Sequence, residues 1–325
     1  MTIVIASHFL VALRSGAIGA VHAALDCRGA IRLAVTLSLL PATAFAQCRL
    51  VPVAVIPLQA VEGFPVVAAE VNGRPVSFVL DSGAQAHLIL PSAEAILRLP
   101  QMQGTVPVIG TGGEREAPLV RLEGVTLGGV SVMPSPTPVT TLPVVPHVSP
   151  LLAGLLGAPL LDQFDLDLNV AGGRLGLFQA GGCGGALPEL SARQTVIPLA
   201  ITRDRQALLD VTINGQSVIA LLDTGSRATL LSQPTADALG LRATVSANTS
   251  RGVDGESLPV GHAVVREMTV GNDVVRDMPV SISPVQLGRA DMLLGLDYLR
   301  QRRAFISFVT QRLVIVLPGP AASVR

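Results

Sequence analysis

The 325-residue chain contains no lysine; all 23 of its basic residues are arginine. That absence removes the lysine of a phosphate-binding P-loop, a Schiff-base lysine and a Ser-x-x-Lys nucleophile pair. Tryptophan is missing too, and tyrosine occurs once, as Tyr298. Stacking platforms for single-stranded nucleic acid need more aromatic surface than this. Formal net charge is zero, whereas a nucleic-acid partner calls for a clustered positive excess. Charged residues are only 14% of the chain and hydrophobic ones 49%, which excludes a disordered chain.

A mean hydropathy of +0.56 raises the question of a membrane. The longest stretch free of Asp, Glu and Arg, 124–161, holds seven prolines, so it is no spanning helix. At the N-terminus Arg28 and Arg32 precede an apolar run, 33–40, which ends in Pro41-Ala42-Thr43-Ala44-Phe45-Ala46. A basic region, a short apolar run and small residues before a cleavage point are the parts of an export signal. The expectation is a leader over 1–46, removal after Ala46, an exported (periplasmic or secreted) protein and no stable membrane span thereafter. Arginine-only basicity suggests a GC-rich bacterial genome. Loss of the leader takes away Arg14, Arg28, Arg32 and Asp26, which leaves a net charge of −2. It also leaves two cysteines, Cys48 and Cys183, a disulfide candidate in an oxidising compartment; two free thiols are the alternative.

The rest of the chain, 47–325, repeats itself. Val55-Ile56-Pro57-Leu58 returns as Val196-Ile197-Pro198-Leu199, an offset of 141. Val71-Asn72-Gly73 returns as Ile213-Asn214-Gly215, and Leu80-Asp81-Ser82-Gly83 as Leu222-Asp223-Thr224-Gly225, both at 142. Gly110 and Gly113 return as Gly252 and Gly255, again at 142. Leu155-Leu156-Gly157 returns as Leu293-Leu294-Gly295, and Arg174-Leu175 as Arg312-Leu313, both at 138. Six landmarks in one order imply one unit used twice, over 47–182 and 183–325, with Gly181-Gly182-Cys183-Gly184-Gly185 as a flexible joint. Asn-Gly pairs between apolar runs are hairpin turns, so each unit reads as mostly strand. Short helices are expected over 93–97 with Ser92 as N-cap, over 235–239, and after each Leu-Leu-Gly, over 158–164 and 296–302. The proline-rich stretch 133–150 reads as a connecting loop.

A single Asp-Ser-Gly is an ordinary turn sequence. Here the tripeptide stands at equivalent points of two copies, each time directly after an apolar strand. Related lobes bring equivalent residues together at a pseudo-two-fold axis, so Asp81 and Asp223 are expected to face each other. Two carboxylates in one site cannot both ionise cheaply; the pair keeps one proton, an acid and a base side by side. Such a pair activates water without metal or other cofactor. None is expected, because His87, His147 and His262 have no metal-ligand spacing and read as surface or locally bonded residues. The run Arg300 to Arg303 reads as charge placed at a helix C-terminus.

These residues resemble the aspartic proteases of the retropepsin–pepsin group. The resemblance rests on Asp81-Ser82-Gly83-Ala84 and Asp223-Thr224-Gly225-Ser226, each followed further along its own copy by Leu155-Leu156-Gly157 or Leu293-Leu294-Gly295. It implies a mainly β, bilobal acid-protease fold with two barrel-like lobes and short helices. It implies Asp81 and Asp223 as catalytic dyad, Ser82 and Thr224 as hydroxyls bonding across the lobes, and Gly83 and Gly225 as points of close approach. Leu156, Gly157, Leu294 and Gly295 become structural neighbours of the site. Gly110-Thr111-Gly112-Gly113 resembles a flap that closes over a peptide, and Gly252-Val253-Asp254-Gly255 a second one. Neither flap carries the tyrosine usual in pepsins, which favours two retropepsin-like units in one chain. The expected partner is a polypeptide substrate, and the working unit a monomer that is its own pseudo-dimer. Two other functions remain at this point: a non-catalytic peptide-binding or regulatory protein on the same fold, and a glycosidase, whose carboxyls would stand about 5 Å or more apart.

Overall fold

Each Asn-Gly pair makes the turn its residues favour. Asn72 sits at φ 51° and Gly73 at φ 74°, the two positive angles a type I′ turn needs. Strands Phe64–Val71 and Arg74–Leu80 leave that turn in antiparallel register, from Val71 opposite Arg74 to Val66 opposite Val79. Asn214 (φ 49°) and Gly215 (φ 85°) repeat the device between Ala207–Ile213 and Gln216–Leu222. The computed structural model describes residues 50–318 apart from 110–113, 143 and 252–256. The expected leader, Cys48 and both flap tips therefore lie outside the described residues. Among the described residues no helix is long and apolar enough to cross a membrane.

The architecture is mostly β, as the alternation of apolar runs and turn residues implies. Strand Arg74–Leu80 buries its last five residues because sheet neighbours and packed layers cover it on all sides. Its parallel neighbour is Leu152–Leu156, with Leu80 opposite Leu156, and Leu88–Ile89 pairs antiparallel on the far side of that strand. The second half copies this arrangement. Gln216–Leu222 runs parallel to Met292–Leu294, with Leu222 opposite Leu294, and Leu230–Ser232 flanks the latter. In both halves a strand from far along the chain threads between the strand before the Asp loop and the strand after it.

One sheet joins the halves. Gln194–Pro198, Arg312–Val316 and Arg303–Ser307 come from the second half; Phe164–Asn169, Arg174–Gln179 and Ala54–Val61 come from the first. At the seam Asp167 stands opposite Phe305, its own counterpart by the offset that relates Arg174 to Arg312. Leu166 opposite Ile306 and Leu168 opposite Ala304 are the reciprocal pairs. A residue paired with its own counterpart marks the pseudo-two-fold axis, the geometry of an isologous interface within one chain. The seam is tied by Arg303, which grips Asp167 through two hydrogen bonds of 2.7 and 2.6 Å.

Several local expectations need correction. Pro91 occupies the first helical position, where its missing N–H costs nothing, so that helix is Pro91–Leu97 with Leu90 as N-cap and Ser92 inside the first turn. Its counterpart is Gln233–Ala238, capped by the Ser232 hydroxyl, which accepts from the Thr235 amide. The helices after Leu-Leu-Gly are single turns, Ala158–Leu160 and Leu296–Leu299. The glycine joint is a tied turn: Gly182–Gly185 is 3-10, and the Gly181 amide donates to Asp165. Within the proline-rich stretch, Ser135–Pro138 is a strand on Glu114–Leu122. The Arg300–Arg303 run serves packing, since Arg302 pairs with buried Asp273 and Arg303 with Asp167.

Candidate active site

Asp81 and Asp223 each stand one residue past a buried strand, where the chain leaves the sheet and must turn. The Asp81 amide donates to the Leu156 carbonyl at 2.9 Å and the Asp223 amide to the Leu294 carbonyl at 3.1 Å, so the returning strand fixes where each loop begins. Beyond that point the carboxylate organises its own turn. Asp81 Oδ1 accepts from the amides of Gly83 and Ala84, both at 3.0 Å. Asp223 Oδ1 accepts from Gly225 at 2.8 Å and Ser226 at 3.0 Å. The local bonding that makes Asp-x-Gly a common turn is present, and in each half it leaves the other carboxyl oxygen free of the loop's own amides.

Each Asp carboxyl packs against the glycine of the opposite loop. The space is tight enough that a Cβ on Gly83 would fall 2.6 Å from Asp223 Cγ, and one on Gly225 would meet Asp81 closer still. Burial raises the Asp81 carboxyl above its ordinary range, against the lowering effect of the Ala84 and Gly83 amides. Asp223 is pushed well above its ordinary value, first by burial and then by the negative charge of Asp81. One proton shared by the pair is what such mutual repulsion produces.

Under the carboxyls the loops are locked together. Ser82 Oγ donates to the Leu222 carbonyl (2.9 Å) and accepts from the Thr224 amide (3.1 Å). Thr224 Oγ1 donates to the Leu80 carbonyl (2.8 Å) and accepts from the Ser82 amide (2.9 Å). Both hydroxyls are buried, and the four bonds are reciprocal: each hydroxyl serves one carbonyl and one amide of the opposite half.

Comparison with known proteins places the same segments in one class. Residues 67–160 match the aspartyl protease family, and residues 209–301 match a gag-polyprotein aspartyl protease family. The chain carries two aspartyl protease domains in tandem. The matches begin at positions 67 and 209, the same offset as the two Asp motifs, and each spans one Asp loop and one Leu-Leu-Gly. Among curated proteins the chain is similar to DNA damage-inducible protein 1 of Neurospora crassa, 34% identical over 110 residues, and to that of Chaetomium globosum, 33% identical over 110 residues. Each alignment covers 33% of this chain and 24% of the relative, so the match spans about a quarter of the length of those proteins.

Around the two protease domains, other expected residues divide. Gly157 and Gly295 pack against the Asp loops: a Cβ on Gly295 would stand 2.6 Å from the Ala228 backbone, and one on Gly157 would strike the Ala86 carbonyl. Leu156 and Leu294 are fully buried. Hairpin strands lead to each expected flap, Gln101–Ile109 with Glu114–Leu122 and Thr244–Arg251 with Ser257–Val270; the tips 110–113 and 252–255 lie outside the described residues. A groove of about 670 Å³ is lined by residues including Asn214, Arg242, Arg266 and Arg276, none of which belongs to the Asp loops.

Two features lie beyond the sequence motifs. His87 is buried, and its Nδ1 accepts from the Gly157 amide at 3.0 Å, so of the two expectations for this histidine, surface or locally bonded, the surface one fails. His147 does lie exposed, bonded to Glu62. In the second domain Tyr298 donates to Asp273 at 2.8 Å and Arg302 stacks over its ring at 4.0 Å. Burial raises the Tyr298 hydroxyl, so this tyrosine is a neutral structural donor. At the point equivalent to His87 in the second copy stands Thr229, a loop hydroxyl.

Proposed function

We propose that this chain is an aspartic endopeptidase. Asp81 and Asp223 share one proton and hold a water between them. The ionised carboxyl takes a proton from the water as it attacks a peptide carbonyl, and the protonated one donates to the developing oxyanion. No covalent intermediate forms. The observation that carries the reading is that two carboxyls at equivalent points of a duplicated unit each pack against the other loop's glycine, and each is oriented by two backbone amides. The close approach of the two loops, each glycine packed against the opposite carboxyl, also disfavours a glycosidase, whose carboxyls need about 5 Å or more between them. Hairpins Gln101–Ile109/Glu114–Leu122 and Thr244–Arg251/Ser257–Val270 are the arms of two flaps that close on an extended polypeptide. Export and a single-chain working unit belong to the same proposal, on the strength of the leader-like residues 1–46 and the internal duplication.

The test is cleavage of an unfolded protein between pH 3 and 7 by the wild-type chain and Asp81→Asn. The reading expects wild-type cleavage and a loss of at least about 10²-fold in the variant, the scale of a removed general acid–base. Equal cleavage by both would remove the dyad. Binding of the unfolded chain with no cleavage would support a peptide-binding protein instead.

A further inference from the structure

The two Asp loops are buttressed differently. In the second domain the Gly295 amide donates to Thr229 Oγ1 at 3.2 Å. Thr229 in turn donates through its hydroxyl and its amide to Asp297, at 2.8 and 2.9 Å. At the matching points of the first domain stand His87 and Pro159. There the Gly157 amide donates to His87 Nδ1 at 3.0 Å. The residue is 1% exposed, and Nε2 has no partner among the described residues.

The ring stands close to the chemistry. Gly157 follows Leu156, whose carbonyl holds the Asp81 amide, and the Ala158 amide donates to the Ala84 carbonyl at 2.8 Å. The Ala84 amide is one of the two on Asp81 Oδ1. An N–H aimed at Nδ1 requires a lone pair there, so the ring is neutral and its proton sits on Nε2. A second proton would set N–H against N–H at Gly157 and bury a charge. Thr229 has no such sensitivity, because a hydroxyl does not titrate in this range.

We propose that His87 is a positioning residue for the Asp81 loop, and that its protonation frees Gly157 and sets the acid limit of the chain's activity. The groups around the ring agree. From the 202–206 loop Arg205 bears on it, paired with Asp162 from the segment after Ala158–Leu160. Burial, then the Arg205 charge, push His87 down to about 4. A folded value below the unfolded one near 6.5 means that stability from this group is full above about pH 6.5 and is lost as pH falls toward 4.

The inference rests on the peptidase reading, and the experiment separates the two. Imidazole resonances of His87 in the intact wild-type chain are titrated from pH 7 to 3, and kcat/KM and the melting temperature of wild type and His87→Thr are followed over the same range. The expected result is a neutral ring, protonated on Nε2, down to about pH 4. At pH 3, a unit below that midpoint, kcat/KM relative to pH 5 should be about tenfold higher in His87→Thr, since about a tenth of wild type keeps the neutral ring. A ring that titrates near 6.5, or acid limbs that coincide, overturns the proposal. If neither protein cleaves, the peptidase reading falls, and the melting profiles alone judge the histidine: a steeper wild-type loss between pH 6.5 and 4 upholds its positioning role, and parallel profiles refute it. Should His87→Thr fail to fold, the wild-type titration decides.

Discussion

Asp223 has its chemistry set by its surroundings. Burial and the charge of Asp81 raise its carboxyl. A carboxyl raised above its unfolded value favours the fold at low pH and weakens it as pH climbs through the folded value. Asp223→Asn should therefore melt no lower than wild type at pH 7, while cleavage falls at least about 10²-fold; thermal melts and initial rates check the two halves of that statement. The glycines behind the carboxyls give the opposite outcome. Gly83→Ala places a Cβ 2.6 Å from Asp223 Cγ, and overpacking of this kind costs about 1–3 kcal/mol. Lower stability together with lost activity is expected, measured by urea melts and peptide hydrolysis. Both Asp residues were legible in the sequence because a charged turn directly after an apolar strand, duplicated, is hard to explain as a surface loop. His87 was not, because a lone histidine carries no spacing signal; its role arises from Gly157, far along the chain.

At the scale of elements, stability at the site comes from reciprocity. Thr224 Oγ1 serves both the Leu80 carbonyl and the Ser82 amide. Thr224→Val keeps the shape and leaves both partners buried without a bond, at about 1–3 kcal/mol for each orphaned group. Chemical denaturation should show that loss, with a larger effect than Thr224→Ser, which retains the hydroxyl. The hairpins were readable from Asn-Gly, since positive φ at both turn residues follows from those side chains. Helix starts were less so. A proline at the first helical position shifts the start ahead of an apparent Ser cap, as at Pro91. The strand Ser135–Pro138 escaped because proline-rich segments read as loops, although an edge position of a sheet accepts them; it pairs on one side only.

Among the described residues, the second half of the chain repeats the strand pairing of the first. The sheet shared by its halves crosses the axis at Asp167 and Phe305, and Arg303 on Asp167 is the polar tie across that seam. Asp167 is buried and Arg303 about a quarter exposed. Asp167→Asn should cost roughly 1–3 kcal/mol, because two charge-assisted hydrogen bonds lose their ionised acceptor while the part-exposed guanidinium still reaches water; equilibrium unfolding measures it. Repeat order and offset were visible in the sequence, and the second half does repeat the first half's parallel pairing beside the Asp loop. The register of the seam was not visible, because strands from opposite halves are brought together by the packing of both and by no local signal.

The central claim is that one carboxyl from each half forms a single catalytic unit. It is tested most directly by kcat/KM for an unfolded-protein substrate with wild type, Asp81→Asn, Asp223→Asn and the double variant. Groups that act as one unit are non-additive, so each single change should cost about as much as both together. Losses that multiply in the double variant, or a single variant that keeps wild-type activity, would contradict the account.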